Sequence, residues 1–210
     1  MTQIEIRHDP LKRVFDLLFS LLILALTAPF GLCIALGIKA TSPGPILYWH
    51  DRLGRGGRTI RCAKFRTMYV DGDRRLRELL VRFPKARAEW DKYRNLKDDP
   101  RVTWLGKFLR KTSLDELPQF WNVLTGEMSV VGPRPIVNEE YERHYKRFAH
   151  QILSVRPGLT GYWQVSGRNR IGSADKARME AEYAQTRSFV QDLAIIARTI
   201  PAMITSKGAY

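Results

Sequence analysis

From Val14 to Ile38 the chain carries one charged residue, Asp16. As a straight helix these 25 residues reach about 37 Å, enough to cover a hydrocarbon core of about 30 Å. The run is apolar on every face, which favours lipid over a protein core. A secretory leader fits poorly, because the run is long and no small-residue cleavage site with a polar flank follows it. Two details argue against a simple span. Pro29 interrupts the run, bending or breaking a helix and leaving limbs of about 22 and 15 Å, each too short to cross alone. Lys12 and Arg13 precede the run, and Lys39, Arg52, Arg55 and Arg58 follow it. Positive charge marks the cytoplasmic side of a membrane segment, and here it stands on both flanks. A helix that enters, kinks at Pro29 and returns to the same face meets both observations; an ordinary span is the alternative.

The remainder has the composition of a folded module. Of 210 residues, 44% are hydrophobic and 27% charged, which excludes a disordered chain and suits one domain with a real core. The net charge is +14. Residues 40–210 alone hold 31 basic against 18 acidic side chains, a net +13, so the basic part lies outside the apolar run. Such a balance points to nucleic acid, anionic lipid or phosphorylated substrates without choosing among them. Cys33 and Cys62 do not make a disulfide framework, and the four histidines show no zinc-ligand spacing with them.

Thr41-Ser42-Pro43-Gly44-Pro45 is a turn-rich exit from the apolar run. Ile46–Trp49 and Thr59–Thr67 read as short strands, with Gly54-Arg55-Gly56-Gly57 as the hairpin turn between them. Residues 73–97 read as one solvated helix with an apolar stripe at Leu76, Leu79, Leu80 and Phe83. Trp104–Lys111 interleaves Trp, Leu and Phe with cations, which suits a membrane interface or a surface helix on the core. Phe189, Leu193, Ile196 and Ile200 form a similar stripe before Pro201.

Two adjacent acids, Asp115 and Glu116, stand behind Arg110 and Lys111. Ser113, three residues before Glu116, makes a capping-box pattern, and acids in a first helical turn favour the dipole. In a basic setting the same acids have another use. A carboxylate beside a polyphosphate holds Mg²⁺ or attacks phosphorus, and nearby cations keep it ionised. Downstream, Val131-Gly132-Pro133-Arg134-Pro135 and the stretch Val155–Asn169, which contains Arg168, are rich in Gly, Pro and Arg. They read as rigid loops whose arginine forks suit phosphate oxygens.

Several strings in order, from Lys12 to the C-terminus, resemble the bacterial sugar transferase family, the monotopic phosphoglycosyl transferases. They are Lys64-Phe65-Arg66-Thr67-Met68, Ser113-Leu114-Asp115-Glu116-Leu117-Pro118-Gln119, Asn122-Val123-Leu124, Gly126-Glu127-Met128-Ser129, Val131-Gly132-Pro133-Arg134-Pro135, Arg156-Pro157-Gly158-Leu159-Thr160-Gly161 and Ser166-Gly167-Arg168-Asn169. Within the family the chain is most similar to the short enzymes that begin exopolysaccharide repeat units with galactose or glucose 1-phosphate. The resemblance implies an α/β (α+β) module on the cytoplasmic face of the bacterial inner membrane. Residues 1–40 would form its re-entrant helix and residues 41–210 the phosphoglycosyl transferase domain with interfacial helices. It implies that Asp115 attacks a UDP-sugar, releases UMP, and passes the phosphosugar to undecaprenyl phosphate, with Mg²⁺ as cofactor and Asp115 beside it. Glu116 matches the helper acid, and Lys64, Arg110, Arg134 and Arg168 match phosphate-site positions. Ala28, where a serine is common before Pro29, and Glu180, where an aspartate is usual, are departures. Membrane lipids are implied partners and nucleic acid is not; a homo-oligomer is left open. A basic nucleic-acid binder and a membrane scaffold are the competing classes, and neither explains paired acids between arginine-bearing segments.

Overall fold

The computed structural model describes residues 9–93, 96–167 and 171–204. Helix α1 (Pro10–Thr41) begins where the Asp9 carboxylate accepts the Lys12 N–H at 3.0 Å and Pro10 fills the first turn. It runs as one helix of 32 residues through Pro29, rather than as two separate pieces. The two ends of α1 are buried, at Lys12, Asp16 and Ser20 and again at Ile34 and Ile38. Between them Leu21, Leu22, Leu26, Phe30 and Leu32 are exposed, Leu26 at 68%. Both ends therefore rest on the same globular body while the middle is bare.

The N-terminal end is held by polar groups. Lys12 Nζ lies 2.5 Å from Asp192 Oδ2, and the Tyr183 hydroxyl donates to Asp192 Oδ1 at 2.5 Å. Asp16 Oδ1 accepts the Val130 N–H at 3.0 Å. Arg13 donates to the carbonyls of Val123 and Leu124, at 2.7 and 3.0 Å. These carbonyls end helix α5 (Gln119–Leu124), where a cation is electrostatically favoured. The lone acid of the apolar run is thus a structural hydrogen-bond acceptor. The other end of α1 is apolar: Ile34 and Ile38 pack with Leu109, Phe65 and Leu105.

Strands β1 (Leu47–Leu53) and β2 (Thr59–Phe65) form the expected antiparallel hairpin, with Leu53 opposite Thr59. Its turn needs φ of +72° at Gly56, which glycine adopts without steric cost. The single helix expected over 73–97 is instead two, α2 (Gly72–Arg82) and α3 (Pro84–Tyr93). Phe83 is extended between them, because a residue before proline is driven out of the helical region. Helix α4 (Trp104–Thr112) is capped by Thr103, whose hydroxyl accepts the Gly106 N–H. It buries Leu109 and exposes Trp104 at 70% and Phe108 at 51%.

Beyond α5, β3 (Ser129–Val131) and β4 (Gly158–Thr160) pair in parallel. The stretch read as one long loop therefore contains a strand and the short helix α8 (Tyr162–Val165). Numbering the short helices between as α6 (Asn138–Glu140) and α7 (Ala149–Ile152), the described chain closes with α9 (Ser173–Thr186) and α10 (Phe189–Ile204). Helix α10 continues through Pro201. The main core gathers Ile60, Cys62, Val123, Met128, Val130, Tyr183 and Ile195 from both strand pairs and the helices around them. The architecture is a mixed helix and sheet module with an apolar N-terminal helix, its strands confined to two short pairs among the described residues.

Lys12 and Asp192 side chains are only 9% and 2% exposed. Replacing Lys12 with methionine should leave a buried carboxylate without its cation and cost about 3–5 kcal/mol. Denaturant unfolding in detergent will measure it, and a loss under about 1 kcal/mol would mean that water reaches Asp192.

Candidate active site

Ser113 ends α4 in the left-handed region, at φ 58°, uncommon for a residue with a Cβ. The chain then makes one tight turn, Leu114–Glu116, before α5 starts at Gln119. The capping box expected from Ser113 and Glu116 does not form, since Ser113 makes no side-chain cap bond to the turn. Glu116 is held from another element: Lys64 Nζ on β2 donates to its Oε1 at 2.6 Å.

The two neighbouring acids differ in environment. Asp115 is 9% exposed. Its burial and the adjacent Glu116 charge push its pKa up to about 6, against the pull of Lys64 and Arg110. Glu116 keeps 36% of its side chain exposed. What burial it has would raise its pKa, but Lys64, Arg134 and Arg52 outweigh this and hold it below the usual glutamate value. Glu116 is thus a firmly ionised partner of the cations, and Asp115 a desolvated carboxylate poised near neutrality.

The cations come from four segments. Arg110 Nε donates to Thr67 Oγ1 at 2.9 Å, which aims this side chain. It sits in the fields of Asp115 and Asp99. Arg134 follows β3; its backbone N–H donates to Glu180 Oε1 at 2.9 Å, and its guanidinium lies 5.8 Å from the Trp163 ring centroid. Glu180 is completely buried, and burial raises its pKa to about 8. Glu180, the departure from the family's usual aspartate, is thus the group that fixes the Arg134 backbone. Arg168 lies outside the described residues.

One broad groove of about 1410 Å³ unites Lys64, Arg110, Asp115, Glu116 and Arg134. It extends to Phe19 and Ile23 on α1 and to Ile196 and Ile200 on α10. Two further residues in it were not found from the sequence. Arg52 donates through Nη1 to the Pro135 carbonyl at 3.3 Å, and its Nη2 lies 3.2 Å from His50 Nδ1. The imidazole's burial, with Arg52 and Lys64 beside it, drives the His50 pKa down to about 4. Alternation along a strand from Tyr48 through His50 to Arg52 is the sequence signal for this placement; as a flanking charge alone, Arg52 gives no sign of it.

Among the described residues no three His, Cys, Asp or Glu side chains gather into a metal cluster. Mg²⁺ commonly uses one or two carboxylates and completes its shell with water and phosphate oxygens. The pair Asp115 and Glu116 fits that mode.

Residues 7–206 match the family model described as bacterial sugar transferase. The chain belongs to the bacterial sugar transferase family. It is 47% identical to the exopolysaccharide production protein ExoY of Sinorhizobium fredii, over 95% of this chain and 88% of the relative. It is 45% identical to the undecaprenyl-phosphate galactose phosphotransferase of Salmonella typhimurium, over 95% of this chain and 42% of that protein. Identity to the UDP-glucose:undecaprenyl-phosphate glucose-1-phosphate transferase of Escherichia coli is 38%, over 95% of this chain and 41% of that one. Two of these relatives are named for transfer of a sugar phosphate with undecaprenyl phosphate, and the groove of this chain brings two acids and several cations together.

Because the folded pKa of Asp115 lies above its ordinary value of 3.8, its contribution to stability is full below that value and is lost as pH rises through about 6. Activity that needs the carboxylate should rise across the same window. Glu116→Gln removes the neighbouring charge and frees Lys64 for Asp115, so the acidic limb of the kcat/KM profile should move to lower pH. An unmoved limb in this variant would assign the titration to another group.

Proposed function

We propose that this transferase moves a sugar 1-phosphate, of galactose or glucose type, from a UDP-sugar to undecaprenyl phosphate and releases UMP, as the membrane step that begins an exopolysaccharide repeat unit. The observation that carries the reading is the pair of unequal carboxylates in a cation-lined groove that also reaches the apolar helix α1. A water-soluble diphosphate and a lipid phosphate can meet there.

In the proposed sequence a carboxylate oxygen of Asp115 attacks the β-phosphorus of the donor. The bond from that phosphorus to the bridging oxygen breaks, and UMP leaves with the electron pair. An oxygen of the lipid phosphate then attacks the same phosphorus, the aspartyl–phosphorus bond breaks, and a lipid diphosphate sugar departs. A desolvated Asp115 is a stronger nucleophile than a solvated one and is still largely ionised at neutral pH. Lys64, Arg110, Arg134 and Arg52 offset the charge that builds on the leaving phosphate. Glu116 holds Lys64 in reach of that charge and supplies a second carboxylate. Asp115 and Glu116 would hold Mg²⁺ against the donor, where the ion supplies further charge neutralisation when bound.

The membrane reading is that residues 1–40 are a re-entrant anchor and residues 41–210 a catalytic domain on the cytoplasmic face of the inner membrane. It is supported by both ends of α1 packing on one body while its middle stays bare. Cations at both flanks of the helix agree with it.

Asp115→Asn should lower UMP release by about a thousandfold or more with membrane binding intact, and a labelled phosphosugar should be trapped on Asp115 of the parent protein when lipid phosphate is omitted. Undiminished turnover in the Asn variant would sink the nucleophile assignment. Tags at residues 1 and 210 should both be shielded from membrane-impermeant reagents in whole cells; labelling of the N-terminal tag from outside would instead show a spanning helix.

A further inference from the structure

Strand β1 turns one face toward the groove. Tyr48, His50 and Arg52 line it, while Trp49 and Asp51 point the other way and are exposed. Tyr48 stands directly opposite Lys64 in the hairpin register, and Lys64 grips Glu116 beside Asp115. The Tyr48 side chain is 54% exposed, with its ring centroid 5.8 Å from that of His50.

The hydrogen-bonding state of His50 follows from its neighbour. An arginine can only donate, so its approach to Nδ1 at 3.2 Å requires that nitrogen to accept. The imidazole is therefore neutral with its proton on Nε2, and among the described residues Nε2–H has no partner. The surrounding cations, Arg52, Lys64 and Arg134, already suit phosphate oxygens. What β1 adds beside them is an uncharged donor next to an exposed aromatic face. That pairing suits an uncharged, hydroxyl-bearing ring. In a sugar nucleotide the hexose is bonded to the phosphate under attack, so it must sit next to the Lys64–Glu116 pair. Other polar-tipped aromatics of the groove are less available: Arg134 and Lys176 lie over the Trp163 ring, at 5.8 and 4.6 Å, Arg75 lies over the Tyr69 ring at 3.9 Å, and Tyr145 is buried.

We propose that Tyr48 and His50 form the hexose subsite, the Tyr48 ring lying against the sugar and the His50 Nε2–H donating to a ring hydroxyl, with Arg52 as the positioning residue that fixes the imidazole tautomer. The proposal rests on the donor being a UDP-sugar.

Calorimetric titration in detergent tests it, using the Asp115→Asn background so that donor is bound and not consumed, with Mg²⁺ present and UDP-galactose, UDP-glucose and UDP as ligands. His50→Ala should weaken binding of at least one UDP-hexose about three- to tenfold, the value of one neutral hydrogen bond, with UDP binding unchanged. His50→Gln should restore it, because the glutamine amide reaches the place of Nε2, and His50→Asn should not. Tyr48→Ala, at an exposed position that folding does not need, should give the same selective loss, and Tyr48→Phe should not. Equal loss for UDP and UDP-hexose would reassign these residues to the phosphates and overturn the proposal. So would unchanged binding of all three ligands, or rescue by Asn in place of Gln. If the background protein binds UDP-sugars no better than an unrelated nucleotide, the donor assignment itself fails, and the subsite falls with it.

Discussion

A charged residue in an apolar helix is tolerated only where something satisfies it, and the way this chain satisfies Asp16 and Lys12 organises the molecule. Asp16 accepts the backbone N–H of Val130, and Lys12 joins Asp192, which also accepts the Tyr183 hydroxyl. These bonds link α1 to β3 and to the consecutive helices α9 and α10, all of them far along the chain from α1. They also set the rotation of α1 about its own axis. With Lys12 and Asp16 turned inward, Phe15 meets Phe189, and Phe19 approaches Phe120 at the edge of the groove. The helix that would hold the protein in lipid is thereby one wall of the groove that holds Asp115. A buried ion pair adds little net stability, but it penalises every other docking of the helix, since any of them would strand a charge.

The second constraint is local. Ser113 in the left-handed region reverses the chain after α4, and the tight turn that follows places both acids at the groove. Adjacent carboxylates would repel and titrate alike in water. Here Lys64 from β2 claims Glu116, leaving Asp115 behind it with the desolvation. The opposite pKa shifts of the two acids come from that asymmetry of neighbours, not from the difference between Asp and Glu. A site of the proposed kind, facing a diphosphate, would need cations at several distances. Drawing them from β1, β2, α4 and the segment after β3 achieves this without packing arginines against one another along one element.

Much of this was legible in the chain. The apolar run, the hairpin at Gly54–Gly57, α4 and the stripe of α10 follow from local periodicity and turn chemistry, which act over a few residues. The acids could be singled out because two carboxylates in so basic a stretch need a reason. Local pattern does not anticipate that Ser113 turns the chain without capping it, or that residues 73–97 divide into two helices at Pro84. The Gly- and Pro-rich stretch after Val155 was not legible as a strand, because β4 exists only by pairing with β3, about thirty residues earlier.

By itself, then, the sequence determined that the chain has a long apolar helix, a basic remainder and a carboxylate pair in a basic setting. These are properties of composition and short-range pattern, and no partner is needed to express them. Only the tertiary structure decided which acid is desolvated, that Asp16 is an internal acceptor, that Glu180 supports Arg134, and that His50 and Arg52 belong to the site. Each of those depends on an electric field or a hydrogen bond from a distant segment. Arg52 and Pro135 lie 83 positions apart, and Lys12 and Asp192 lie 180 apart. Burial and Coulomb energy depend on distance in space, and a linear chain does not reveal that distance until it folds.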